Sequence, residues 1–296
     1  MNNEMAYLLG MICGNGEINN RFGKTIVSIE IPHKKLETED FHDVKLYVKA
    51  SIADILKILE PLIGSEVSFI QNKAVTTLSF SKPEEDYLMR EILRYIGSAT
   101  SHSNMRIHKD ISLHFTTDQK KMFLKGFCDV TGYIRRSNAF IDKYKHRIYI
   151  EIPNNWFMVI DICNILKELK IPVQAIDWAH PNMRDGNLKM YNQGKTNFWK
   201  KEHQIKIYAN EFLPIGFGVI HKTQALQTYA KELIEGFKKK GLTAADKTHR
   251  FYWEVNGKNK SKSSHPCEND VSLPIQIRGK HYDSWRQIAK DLGYSE

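Results

Sequence analysis

Two apolar segments, about half the chain apart, each carry a glycine inside a helical pattern, and this pair constrains the fold more than any other feature. They are Ala6-Tyr-Leu-Leu-Gly-Met-Ile-Cys-Gly-Asn-Gly-Glu-Ile18 and Met122-Phe-Leu-Lys-Gly-Phe-Cys-Asp-Val-Thr-Gly-Tyr-Ile-Arg135. A glycine in a helix interior costs about 1 kcal/mol relative to alanine. Gly10 and Gly126 therefore need a compensating reason, and close approach of two backbones supplies one, because no Cβ stands in the way. Gly16 and Gly132 sit where each chain leaves its helix, a place where a left-handed residue is expected. A strand-like run follows each segment.

The chain of 296 residues is long enough for two equivalent halves and a tail. Its hydrophobic share of 42% predicts a sizeable core, and its net charge of +9 suits a polyanionic partner. No apolar run reaches the ~20 residues that span a bilayer, so no membrane partner is expected. The first residues do not read as a signal peptide, since Glu4 comes early. Cys13, Cys128, Cys163 and Cys267 are scattered, which points to an intracellular, reducing setting rather than a disulfide framework.

Read in order, Thr25–Ile31 is a β-branched strand ended by Pro32, and Asp43–Lys49 alternates polar and apolar residues like a second strand. Ser51 is placed to cap a helix over Ile52–Leu62, and strands follow at Glu66–Ile70 and Val75–Phe80. A helix over Glu84–Ile96 stops at Gly97. Residues 98–117 read as a connector whose His102, His108 and His114 fit no compact zinc spacing. The order then repeats: a motif helix over Asp118–Val130, strands at Tyr133–Ile141 and Arg147–Ile152, a helix from Trp156 to Leu169, strands at Val173–Trp178 and Gln204–Tyr208, and helical sequence over Glu211–Phe237. The last two strands are separated by a basic insertion, residues 179–203, long enough to suggest function. Beyond Lys238 lies a basic linker, and Ile277–Gly293 reads as a small module with a helix capped by Ser284.

The paired segments resemble the LAGLIDADG family of DNA endonucleases, with the nine-residue motif over Leu8–Gly16 and over Leu124–Gly132. The resemblance implies an α/β (α+β) fold of two pseudo-symmetric α-β-β-α-β-β-α halves that form a DNA-binding saddle, in one monomer with an internal pseudo-twofold axis. The halves would be residues 1–97 and 118–237, joined by 98–117 and followed by the tail 238–296. It further implies cleavage of double-stranded DNA with Mg2+ (or Mn2+), held by an acid at the eighth motif position. Here those positions are Asn15 and Thr131, neither of which carries charge. The nearest acids are Glu17 and Asp129, so the expected metal ligands become Glu17, Asp129 and the neutral oxygen of Asn15, with Thr131 at the second helix end and Lys206, or Lys45, assisting.

A β-ribbon fits the major groove, and side chains on alternate strand positions can reach base edges there. Candidates for DNA contact are Arg21, Lys24 and Ser28 in the first half, and Arg135, Ser137, Asn138 and Arg147 in the second. The insertion adds Arg184, Lys189, Lys195, Lys200 and Lys201. Two functions fit. One is a site-specific double-strand DNA endonuclease, homing-like or restriction-like. The other is a non-cleaving nucleic-acid-binding protein on the same scaffold, an intron splicing cofactor for structured RNA or a transcriptional regulator.

Overall fold

The computed structural model describes residues 2–64, 67–97, 99–136, 146–153, 155–177, 202–239, 275–277 and 280–282. The first half runs α1 (Asn3–Asn15), β1 (Gly16–Arg21), β2 (Lys24–Pro32), α2 (His33–Leu36), α3 (Val44–Ile63), β3 (Ser68–Gln71), β4 (Val75–Pro83) and α4 (Tyr87–Ile96). After α5 (Lys109–His114) the second half runs α6 (Thr117–Thr131), β5 (Gly132–Arg135), β6 (Arg147–Pro153), α7 (Trp156–Glu168), β7 (Ala175–Asp177), β8 (Glu202–Tyr208), α8 (Ala209–Phe212) and α9 (Ile220–Lys239).

Helix α1 starts where the Asn2 side chain accepts from the Met5 amide, and α6 starts on a reciprocal capping box between Thr116 and Gln119. The two helices touch backbone to backbone. A Cβ on Gly10 would lie 2.0 Å from the Phe123 carbonyl oxygen, and one on Gly126 would lie 2.0 Å from the Tyr7 carbonyl oxygen. Each glycine thus makes room for the other helix's backbone. Around them Leu8, Leu9, Ile12, Leu124 and Phe127 are fully buried, each contributing about 1.5–3 kcal/mol of burial.

The first sheet has strand order β1-β2-β4-β3, antiparallel throughout. In the second half β5-β6-β8-β7 is likewise antiparallel and has the corresponding order. The tail then extends this sheet: β9 (Ile275–Ile277) pairs in parallel with β7, and β10 (Lys280–Tyr282) pairs with β9. Ile277 therefore belongs to a strand, and the expected helix capped by Ser284 lies outside the described residues.

Several local expectations are corrected. Residues 44–49 are helical, because Asp43 accepts from the Lys45 and Leu46 amides and starts α3 there. Tyr47, Val48, Ser51, Ile55 and Leu59 form its buried face. Ser51 lies inside this helix and donates to the Tyr47 carbonyl, so it caps nothing, and Lys45 sits in a first helical turn rather than on a strand. Gly16 (φ −106°, ψ 158°) and Gly132 (φ −101°, ψ 148°) are extended, not left-handed. Their lack of a Cβ matters for space: it would meet Ile12 backbone atoms at 2.7 Å and the Cys128 carbonyl at 2.8 Å. The helical sequence expected over Glu211–Phe237 is divided by a turn at Gly216 (φ 67°) into α8 and α9.

The connector runs along β1, with the Ile18 amide donating to the Thr100 carbonyl and the His102 amide to the Gly16 carbonyl. It is tied to α7 by Arg106, whose guanidinium donates to both Asp161 oxygens at 2.6 and 2.7 Å. Asn155 both caps α7 and donates to the His102 and Met105 carbonyls.

Candidate nucleic-acid interface

Each sheet packs one face on the core and turns the other away from it. In the first sheet Ile18, Val27, Ile29, Leu78 and Phe80 point inward and are buried. The opposite face carries cross-strand rows: Glu17 beside Ser28, Ser79 and Ser68; Asn19 beside Ile26 and Ser81; Arg21 beside Lys24 and Pro83. Ser28 and Ser79 share a hydrogen bond of 3.0 Å. Arg21, Lys24 and Ser28 thus lie on one face, a polar surface with a basic end.

The outward face of the second sheet has a basic row too. Arg135 opposes Arg147, which opposes Tyr208, and the next row is Tyr133, Tyr149, Lys206 and Ala175. Tyr133 and Tyr149 stack at 5.2 Å with their planes 11° apart, and the Arg135 guanidinium lies 5.1 Å from the Tyr133 ring centre. The acids Glu151 and Glu202 lie on this face, and Glu151 is neutralised from the first half. Lys35 of α2, itself buried, pairs with it, Lys34 lies 3.7 Å away, and Tyr133 donates to it at 3.1 Å. Burial alone would raise the Glu151 pKa, and these donors together hold it below its ordinary value. Ser137, Asn138, Arg184, Lys189, Lys195, Lys200 and Lys201 lie outside the described residues.

The ends of the motif helices differ from the expected metal site. Glu17 is exposed on the outward face of β1, and Asn15 donates through its side-chain amide to the Glu30 carbonyl at 2.8 Å. Thr131 is buried and its hydroxyl donates back to the Phe127 carbonyl at 2.6 Å. Asp129 is fully buried: it accepts from the Tyr7 hydroxyl at 2.6 Å and from the Gly218 amide at 2.8 Å. Gly218 allows this approach, since a Cβ there would lie 2.5 Å from the Asp129 carboxylate.

Facing Asp129 is Lys222 of α9, also fully buried, with Nζ 3.7 Å from Oδ1. The same ammonium donates to the Cys128 carbonyl at 3.1 Å and the Gly132 carbonyl at 3.0 Å, and sits 4.1 Å from the Phe217 ring centre. It therefore occupies the C-terminal end of α6, where carbonyls and the helix dipole favour a cation. Burial pushes Lys222 down to about 8 and raises Asp129, and the attraction between them opposes both shifts. Burial, then the Asp129 charge, raises Tyr7 well above the usual phenol value.

A divalent ion does not fit this end of α6. The one carboxylate is buried, its Oδ2 takes two donors, and the carbonyls it would share with a metal already hold an ammonium. Among the described residues, no group of three or more His, Cys, Asp or Glu side chains stands together as a metal site. Asp129 and Glu17 are also not brought to one environment: one is in the core, the other on a sheet face. Lys206 lies on that outward face of the second sheet, opposite Tyr149. Lys222, Tyr7 and Gly218 form the network that sequence reading missed. The glycine pair of Gly-Phe-Gly, residues 216–218, was the available signal, marking a close backbone approach ahead of a helix.

No protein-family model matches this sequence, and no curated protein does. The two halves share one order of helices and strands and meet through the glycines of their first helices. Among solved structures, the homing endonuclease I-DmoI in complex with DNA and Mn is similar at 16% identity over 72% of this chain and 95% of that one, with a TM-score of 0.39. A mutant of I-SmaMI is similar at 11% identity over 88% and 100% of the two chains, with a TM-score of 0.43. Full-length DUF199/WhiA from Thermatoga maritima is similar at 11% identity over 86% and 66%, with a TM-score of 0.41.

Proposed function

We propose that this chain binds double-stranded DNA across the outward faces of its two sheets, as a monomer whose halves address successive parts of the duplex. The carrying observation is the matched pair of basic rows, Arg21 with Lys24 and Arg135 with Arg147, each at the end of a polar or aromatic sheet face. Guanidinium and ammonium groups there suit phosphates, while Asn19, Ser28, Ser79 and Ser81 suit base edges. The α6 end supports binding without cleavage, the role of a regulator or splicing cofactor, because its cation is an ammonium from the chain itself.

A second reading, a Mg2+- or Mn2+-dependent endonuclease, is favoured by one observation: Glu17 remains exposed on the outward face, directly after α1. The test is one incubation of the purified chain with a pool of duplexes, with and without Mg2+ or Mn2+. Binding is followed by anisotropy and strand scission by electrophoresis. Binding without scission supports the first reading. Scission that disappears in Glu17→Gln while binding persists supports the second. Absence of duplex binding overturns both, and a structured RNA run in parallel tests the splicing role.

A further inference from the structure

The tip of the β1–β2 hairpin carries a residue that the fold itself does not explain. Arg21 and Lys24 pair across the hairpin, leaving Phe22 and Gly23 as a two-residue turn. Both have positive φ, 52° and 71°, the pattern of the turn that Asn-Gly fills best. A bulky phenylalanine in that region is a true conformational outlier. Phe22 is also fully exposed, and the space around a Cβ at Gly23 is empty, so the ring gains nothing from packing. A strained backbone and an unburied aromatic both disfavour the isolated protein. Such a position points to a partner.

We propose that Phe22 is a specificity residue that meets the C5-methyl edge of a thymine in the DNA major groove; this rests on the DNA-binding reading above. Arg21 and Lys24 flank the ring and suit the phosphates on either side. The face behind it carries Asn19, Ser28, Ser79 and Ser81, with the exposed acids Glu17 and Glu30 farther along it. That surface suits base edges, and it lacks the broad apolar patch that insertion into a lipid interface requires. The methyl group is the apolar feature that the major groove offers, and it distinguishes thymine there.

The experiment compares wild type with Phe22→Asn, a change that suits the turn and so preserves folding; unchanged or raised Tm verifies this. Duplexes are selected by wild type from a pool with a randomised core, then remade with uracil for each thymine in turn. The expected result is a loss of about fivefold to tenfold in wild-type affinity at one thymine. Phe22→Asn should bind the thymine duplex as weakly as wild type binds the uracil duplex, with an unchanged salt slope, since no charge is altered. Equal affinity of the two proteins for the thymine duplex overturns the assignment while leaving DNA binding intact. Absence of any selected duplex overturns both. Binding to phosphatidylglycerol vesicles that is lost in Phe22→Asn, with duplex affinity unchanged, overturns it in favour of a membrane contact.

Discussion

Lys222 and Asp129 face each other at 3.7 Å in the interior, both without exposed surface. The lysine comes from α9 and the aspartate from the second motif helix, with Tyr7 of the first motif helix completing the network. Three helices are therefore joined by one buried charge pair, at the place where the family resemblance led us to expect a metal-binding acid. Its members hold each other in place, and this gives the first prediction.

Removing one partner of a buried pair leaves an uncompensated charge, which typically costs about 3–5 kcal/mol. Lys222→Met should therefore destabilise strongly, and Asp129→Asn should do so too, by leaving Lys222 with carbonyl partners alone. The double variant should be more stable than the sum of the single losses implies, because neither charge remains. Urea denaturation of all four proteins measures this coupling. Strict additivity would mean that the two groups do not interact.

The helix contact gives a steric prediction. Gly126→Ala places a methyl group 2.0 Å from the Tyr7 carbonyl oxygen, and Gly10→Ala does the same against Phe123. Rigid backbone atoms cannot yield as a side-chain tip can, so each should cost about 3 kcal/mol, the upper end of overpacking. Gly64→Ala makes a useful contrast, since its Cβ would meet open space and only its positive φ opposes the change. Denaturation midpoints should order the three variants accordingly.

DNA binding should weaken as salt rises, because bound cations displace counterions from phosphates. Arg21→Ala combined with Lys24→Ala removes two such contacts. The slope of log affinity against log salt should become shallower by roughly 1.8. Anisotropy titrations at several salt concentrations measure it. An unchanged slope would take the first sheet's basic row out of the interface.

Acid stability should depend on His203. It is fully buried on β8, with its ring 5.3 Å from that of Trp156, and burial lowers its pKa from 6.5 to about 4. The unfolded chain therefore takes up this proton first as pH falls. Stability from this residue is intact above pH 6.5 and declines as pH drops towards 4, by about 3 kcal/mol at the limit. His203→Phe should flatten the fall of unfolding free energy over that window. If the profiles of the two proteins run parallel, the imidazole is not what titrates.

Glycine spacing and strand periodicity made the architecture readable from sequence. Gly10 and Gly126 announced the helix contact because a helical glycine has few other compensations. The alternation over residues 25–31 and 147–152 announced strands whose inward faces are buried. Residues 43–49 misled because their alternation covers barely two helical turns. The buried helical spacing from Tyr47 to Leu59 and the Asp43 cap decide the matter, and both extend beyond that window.

Residue spacing alone was enough to pair two glycine-bearing helices and to lead each into a strand. These are consequences of local conformational cost and of period, which depend on near neighbours in the chain. What Asp129 does follows from the folded chain instead. Its partners Tyr7, Gly218 and Lys222 are 122, 89 and 93 residues away in the chain, and no local rule links a carboxylate to a lysine at that distance. The tail's strand beside β7 was decided in the same way, because an open sheet edge specifies that a strand be added and leaves open which segment supplies it. Burial turned an expected metal ligand into half of an internal ion pair, since a charge removed from water must find its counter-charge wherever the fold delivers one.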